Sequence, residues 1–572
     1  MRSDVGRLAA GGYRVLRAVG YRVRRRMVTT VVSAAPDRPA VRRLIPATLQ
    51  QLADSGPDLA VSTHRARYVV ERRQADVTVW QLAARTSDAV TEVLERAGVA
   101  FFATHLPLTR VAHWAVPRDQ LAQAVRAISR ELGPEAFYVQ LDQHTARPRL
   151  AQEGLTPEEL ASVERLTVFQ HVRCTTTGEL HGAPDGCQIA VWDRSPERAT
   201  LVAPDRGMVQ EVDDVTPLHL TVRQRWDGAR EPVPAGATGD ARAIDFPIDA
   251  VYLWVDDSDP AWRARRDAAR RELAGPDAPG EESAGAHFFR DRGELRASMR
   301  SLEMYAPWIR HIYLVTDDQR PAWLDTEHGR VTLVDHRDIF ADPAALPTFS
   351  SHAIGTQLHR IPGLAEHYLV MNDDVMFTHP VSPYDFFTPA GQLNVFFSRA
   401  RRPDISRDRQ NPLEQARTNS AELIERDFGR RASSLFAHVP IPQRKDVAED
   451  VAERYAEEFE RTARGRFRSA TDVEPNSWLH LYTALFTGRG VPGSIRYGYF
   501  NIGRAEVRRR LDNHEYSSSL RAICLNDVPP PDGEEEADPE WLAGWLERRF
   551  PVPAPFELSA GGGARPSGGG RP

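Results

Sequence analysis

Four times between residues 244 and 530, a short apolar run ends directly in carboxylates or amides, and this repetition constrains the fold more than any bulk property. Asp249–Val255 leads into Asp256, Asp257 and Asp259, and His311–Val315 leads into Thr316, Asp317 and Asp318. His367–Met371 leads into Asn372, Asp373 and Asp374, and Ala522–Leu525 leads into Asn526 and Asp527. Helical patterns such as Gly293–Tyr305 separate the first three. Strands alternating with helices predict an α/β domain with a mainly parallel, doubly wound, Rossmann-like sheet. Ligands of such sheets bind at the carboxyl ends of the strands, which is where these acids fall.

Any one of these clusters also reads as an ordinary turn, because Asp and Asn hydrogen-bond their own backbone after a strand. Four in one domain shift the weighing, since converging acids repel each other unless a cation or donors compensate them. Mg²⁺ or Mn²⁺ on a diphosphate supplies that compensation, because Mg²⁺ prefers one or two carboxylates plus phosphate oxygens. Asn372-Asp373-Asp374 is the foremost metal candidate. Arg296 and Arg300 share one face of the helix that starts near Gly293, while Leu295, Met299 and Leu302 form its buried stripe. With Arg290 and Asp291 just before that helix, they are candidates to hold a phosphate. The competing reading is a solvated arginine face. Lys445 is the only lysine among 73 basic residues, so a single arginine carries little weight without its neighbours.

At 572 residues the chain exceeds one ordinary domain. Residues 1–45 form a basic segment with eleven arginines against Asp4 and Asp37. It reads either as an amphipathic stretch on anionic lipid or as a basic tail. Residues 46–240 read as a smaller mixed α/β domain, with strands at Val77–Leu82, Val99–His105, Leu166–Val172 and Cys187–Trp192, and helices at Ser87–Ala97 and Arg118–Leu132. No motif there declares a chemistry, and its histidines, His144 among them, read as structural or surface residues. A linker, Pro232–Asp240, leads to the domain at 244–530. Residues 531–572 add an acidic, proline-rich stretch, a short helix carrying Trp541 and Trp545, and a glycine-rich tail. The net charge of −6 excludes a general nucleic-acid binder. Three cysteines without a CxxC pair exclude a disulfide framework, and no apolar run suffices to span a bilayer. A cytoplasmic protein is expected, with at most peripheral contact on the inner membrane face. Nothing in the residues defines the oligomeric state.

Taken together, these blocks resemble the Stealth family, which joins bacterial capsular polysaccharide phosphotransferases with the α/β subunit of animal N-acetylglucosamine-1-phosphotransferase. The resemblance covers Ile248–Trp262 (IDAVYLWVDDSDPAW), Phe289–Phe387, about Ser433–Tyr482 with AHVPIPQRKDV, and Ala522–Val528 (AICLNDV). Length and order make it specific. It implies that Asp373 and Asp374 are the essential acidic pair, that His438 in its H-x-P setting and Arg468 are catalytic, and that Asp527 joins the metal site. Substrate contacts are expected from Asp256, Asp259, Arg290, Asp291, Arg296, Arg300, Asn372 and Asn526. Asp257 departs from the family's usual Gly, and His352 sits where relatives vary. The implied reaction moves a hexose- or N-acetylhexosamine-1-phosphate from a UDP-sugar, UDP-N-acetylglucosamine first, onto a saccharide hydroxyl, releasing UMP. A metal-dependent glycosyltransferase releasing UDP would use the same acids, and a scaffold with a degenerate transferase is the alternative outside catalysis.

Overall fold

The computed structural model describes residues 45–558 except 66, 143–146, 196, 205–210, 214–219, 235–240, 274–279, 281–284, 402–410, 505, 513–519 and 528–537. The basic segment up to residue 44, the glycine-rich tail and His144 lie outside the described residues. Among the described residues no helix is long and apolar enough to cross a membrane. The chain divides into two compact units: residues 45–105, 110–223 and 231–234, and residues 106–109, 224–230 and 241–558.

The first unit is mixed α/β, with an eight-stranded and a four-stranded sheet. Its helix Arg118–Leu132 has the expected bounds and buries Leu121, Val125, Ile128 and Leu132 on one stripe. Val77–Leu82, expected as a strand, instead opens the helix Val79–Arg96. Thr78 and Gln81 form a capping box there: Gln81 N donates to Thr78 Oγ1 (3.2 Å), and Thr78 N donates to Gln81 Oε1 (3.0 Å). The V-T-V-W alternation imitates a strand, and the Thr-x-x-Gln start signal overrides it.

In the second unit the elements that position the site are, in chain order, β1 (Ile248–Leu253), α1 (Pro260–Glu272), α2 (Glu294–Tyr305), β2 (Ile312–Thr316), β3 (Val331–Asp335), β4 (His367–Asn372) and β5 (Val375–Phe377). They continue with α3 (Pro412–Phe428), β6 (Ile441–Arg444), β7 (Tyr497–Asn501), β8 (Ala522–Asn526) and α4 (Pro539–Arg549). The main sheet has the order β3-β2-β1-β4-β6. Its first four strands are parallel, and β6 pairs with β4 antiparallel. Ala250, Val251, Tyr252, Leu314 and Leu369 are fully buried, as expected of parallel strands covered on both faces. Because β2 and β3 lie to one side of β1 and β4 to the other, the order switches between β1 and β4. Carboxyl ends beside such a switch leave a crevice.

The fourth acid-tipped strand is not part of this sheet. β8 belongs to a three-stranded sheet of order β5-β8-β7. β4 passes through the Asp373-Asp374 turn into β5, β5 pairs antiparallel with β8, and Leu525 N donates to Asp374 O (2.8 Å). Asn526 and Asp527 therefore reach the acid pair sideways, through the continuation of β4.

Arg296 and Arg300 do not serve a phosphate. Arg300 Nε and Nη2 donate to Glu557 Oε1 and Oε2 (2.7 and 2.9 Å), and its Nη1 donates to Glu547 Oε2 (2.8 Å) and Phe550 O (3.0 Å). Arg296 Nε donates to the same Glu557 (2.7 Å). These pairs fasten the C-terminal segment, whose Trp541, Leu542, Trp545, Leu546 and Phe556 are buried.

Burial alone would raise the Glu557 pKa, but Arg300, Ala554 N and Arg296 hold it below the usual 4.5. Its contribution is complete above the unfolded value and is lost as pH falls through the lowered folded value. Glu557→Gln should cost about 3 kcal/mol in urea unfolding at neutral pH, because Arg300 loses its buried countercharge and keeps only the more exposed Glu547. The gap from the wild type should close on acidification; a cost below about 0.5 kcal/mol would make the pairs irrelevant to stability. Burial also pushes His480 down to about 3, against the pull of Asp446. Its Nε2 accepts from Arg444 N (3.2 Å). That stabilisation is whole above pH 6.5 and lost as pH falls towards 3. His480→Gln should reduce the slope of stability against pH in this window by about 1.4 kcal/mol per unit; an unaltered slope would contradict it.

Candidate active site

Carboxylates crowd where β1, the start of α2 and the β4–β5 turn meet. Trp254 Nε1 and Gly293 N donate to the two oxygens of Asp291, each at 2.7 Å. Gly293 adopts φ +99°, which its missing side chain permits and which begins α2 directly after Asp291. Despite its two donors, Asp291 has a raised pKa, through burial first and nearby Asp256 in addition. Glu294 is pushed up to about 7 by burial and by Asp291. Asp373 is raised well above the ordinary range by burial, then by Asp374, Asp291 and Glu294. Burial likewise raises Asp374, whose Oδ2 accepts a hydrogen bond from Cys524 Sγ (3.2 Å), while its buried Oδ1 accepts none. Asp527 differs. It faces Arg292 Nη2 at 3.1 Å and Arg290 Nη1 at 3.7 Å.

A cavity of about 520 Å³ adjoins this acid nest and is lined by Asn372, His438, Arg417, Arg468, Glu474 and Tyr499. Of the Asn372-Asp373-Asp374 triplet, only Asn372 lines it; Asp374 acts on it through its charge on His438. His438 lies between the strand Ser434–Phe436 and β6, exposed to the cavity. Protein walls around an open ring face still desolvate it, so burial lowers its pKa from 6.5 while Asp374 pulls it up. Neither ring nitrogen hydrogen-bonds a described residue. Tyr499 stands edge-on to it, centroids 5.3 Å apart at 73°.

Two arginines share the cavity in unlike states. Arg417, on α3, donates to Glu414 (2.6 Å) and Glu474 (3.4 Å). Burial penalises its charge, yet these carboxylates prevail and raise its pKa. Arg468 donates to Ser351 Oγ (2.8 Å) and lies over Phe288, 4.8 Å from the ring centroid, with no ion pair to a described residue. Burial lowers its pKa. Its loop is anchored by Asp472, which accepts from Ser469 N (3.0 Å) and Ser469 Oγ (2.8 Å) and meets His352 Nδ1 at 3.1 Å.

The structure thus brings Asp256, Asp291, Asp373 and Asp374 together, with His438, Arg468 and Asn372 on the adjoining cavity, and Arg290 beside Asp527. Asn526 ends β8, and its carbonyl accepts from Ile502 N (3.0 Å). Asp259 is corrected: it caps α1, its Oδ1 accepting from Ala261 N (2.8 Å) and its Oδ2 from Gln319 Nε2 (3.2 Å). Glu294, Cys524, Arg417, Glu474 and Tyr499 escaped the sequence reading. Glu294 could have been found from its place in the Phe289–Phe387 block. The tyrosine and Arg417 carry no local signal. Among the described residues no three His, Cys, Asp or Glu side chains make a ready metal cage. The donor chemistry still fits a hard divalent cation that takes most of its shell from phosphate and water: hard oxygens, with Asp374 Oδ1 unpartnered.

Three family regions match this chain: Stealth protein CR1, conserved region 1, over residues 246–274; CR2, conserved region 2, over 288–395; and CR3, conserved region 3, over 437–485. They contain Asp256, Asp373, Asp374, His438 and Arg468, while Ala522–Val528 lies outside them. An exopolysaccharide phosphotransferase of Streptomyces coelicolor is 40% identical over 489 residues, 82% of this chain and 81% of that protein. The exopolysaccharide phosphotransferase CpsY of Mycobacterium tuberculosis is 33% identical over 451 residues, 76% of this chain and 81% of its own length. Identity of this extent over most of both chains, with the matched regions supplying the acid pair, the histidine and the arginine, means that this chain belongs to the Stealth family and is a phosphotransferase.

Proposed function

We propose that the second unit transfers a sugar-1-phosphate from a UDP-sugar to a saccharide hydroxyl and releases UMP, in the synthesis of a phosphate-linked exopolysaccharide. The observation that carries this reading is that His438, both ring nitrogens without a described partner, feels the charge of Asp374 and shares a cavity with Arg468, which has no ion pair to a described residue. His438 takes the proton of the acceptor hydroxyl. The hydroxyl oxygen then bonds to the phosphorus bearing the sugar, and the bond from that phosphorus to the bridging oxygen of UMP breaks. Arg468 faces the charge on the transferred phosphoryl group. Asp374, with Asp373 beside it, would hold Mg²⁺ or Mn²⁺, which when bound would neutralise diphosphate and carboxylates together. The nucleotide would lie along the strand ends of a doubly wound, Rossmann-like sheet, a reading that the β3-β2-β1-β4 order supports. The eleven arginines of residues 1–45 would draw the enzyme to anionic lipid.

Incubation of the purified chain with nucleotide-sugars and Mg²⁺ should release UMP, read by mass; UDP in its place would make the reaction a glycosyl transfer. His438→Ala should lower kcat about 10²–10⁴-fold, the usual worth of a general base. Asp374→Asn should raise the Mg²⁺ concentration needed for half-maximal rate. If both variants keep wild-type rate and metal dependence, the assignment of these residues fails.

A further inference from the structure

The charged side chains on the cavity wall are differently engaged. Arg468 makes no ion pair with a described residue, although the charges of Glu474 and Asp472 reach it. Arg417 pairs with both Glu414 and Glu474, and Glu474 also accepts from Ser477 Oγ (2.6 Å), so this part of the wall alternates donors and acceptors. An anionic phosphoryl group suits Arg468. An uncharged, polyhydroxylated molecule suits the paired groups around Arg417.

Tyr499 lines the same cavity, within reach of the Arg417 charge. It is among the few large apolar side chains left exposed, at 43%, although it lines a cavity. The strand register explains its aim: Tyr499 on β7 pairs with Cys524 on β8, and Cys524 pairs with Val375, the residue after Asp374. One row across the three-stranded sheet therefore carries Tyr499 toward the acid pair and sets its ring against His438. No described residue accepts from its hydroxyl. Burial, with Cys524 and Asp374 nearby, holds the phenol protonated, its pKa raised to about 12. An exposed aromatic ring beside paired planar polar groups is the surface that a sugar ring uses: C–H groups on the ring, hydroxyls on the polar edge.

We infer that Tyr499, Arg417 and Glu474 form the acceptor subsite, and that it takes an uncharged pyranose seated on Tyr499 with one hydroxyl at His438. This rests on the phosphotransfer reading for the role of that hydroxyl, but the binding itself can be measured without turnover. Saturation-transfer NMR on the full chain, with methyl α-glucopyranoside and methyl N-acetylglucosaminide as probes, should show ring-proton contacts that Tyr499→Ala loses and Tyr499→Phe keeps. In steady-state transfer to the responding glycoside, Tyr499→Ala should raise the acceptor KM about tenfold, and the donor KM far less. Equal probe signals from wild type and Tyr499→Ala, no signal from either glycoside, or a parallel rise in both KM values would overturn the subsite. Release of UDP instead of UMP would sink the reaction and leave the binding result to stand or fall alone.

Discussion

Like charges held close together in low-dielectric surroundings are the constraint around which the second unit is arranged. Asp291, Glu294, Asp373 and Asp374 come from the start of one helix and the end of one strand, and each has a pKa above its ordinary value, with burial as the largest cause. Such a group is expensive to assemble and persists only where the surrounding backbone leaves no alternative. Here the backbone does so: β4 is buried between β1 and β6, its turn continues into β5, and β5 is zipped to β8. The carboxyl groups are held together by paired strands on either side of their turn.

The acids and the cavity divide the work. The nest gathers the carboxyl groups, and the cavity supplies the histidine and the arginines. The Asn372-Asp373-Asp374 turn joins them, since Asn372 lines the cavity while Asp374 lies against Cys524 and acts on His438. Cys524 gives Asp374 one donor and leaves its other oxygen open. A second donor there would have removed the position at which a ligand could be held.

Arginine is so frequent in this chain that only environment tells its roles apart. Arg296 and Arg300 looked like phosphate holders because they share a helix face; Glu557, more than 250 residues later in sequence, claims them instead. Arg468, singled out by the family blocks and not by its spacing, is the cavity arginine without an ion pair to a described residue. Neither outcome is visible in local spacing, because each depends on which carboxylate the fold brings within 4 Å.

Much of the site was nonetheless legible. The parallel strands announce themselves as unbroken apolar runs because both faces are covered, and the acids at their ends mark the carboxyl edge whatever the loops do. Asp373, Asp374, His438 and Arg468 followed from ordered blocks that the chain shares with its family. Where a strand was expected at Val77–Leu82, period-two alternation over six residues competed with a cap signal, and the cap prevailed because it satisfies two backbone donors at once. Sequence by itself therefore determined the class of fold, the acid-tipped strands and the acid pair, because periodicity and short-range turn chemistry are written in neighbouring residues. Only the tertiary structure decided that β8 lies in a second sheet, that Asp259 caps a helix, that Glu557 takes Arg296 and Arg300, and that Tyr499 stands over His438. Those outcomes rest on contacts between residues far apart in the chain, and no local pattern encodes which of many equally good partners will be near.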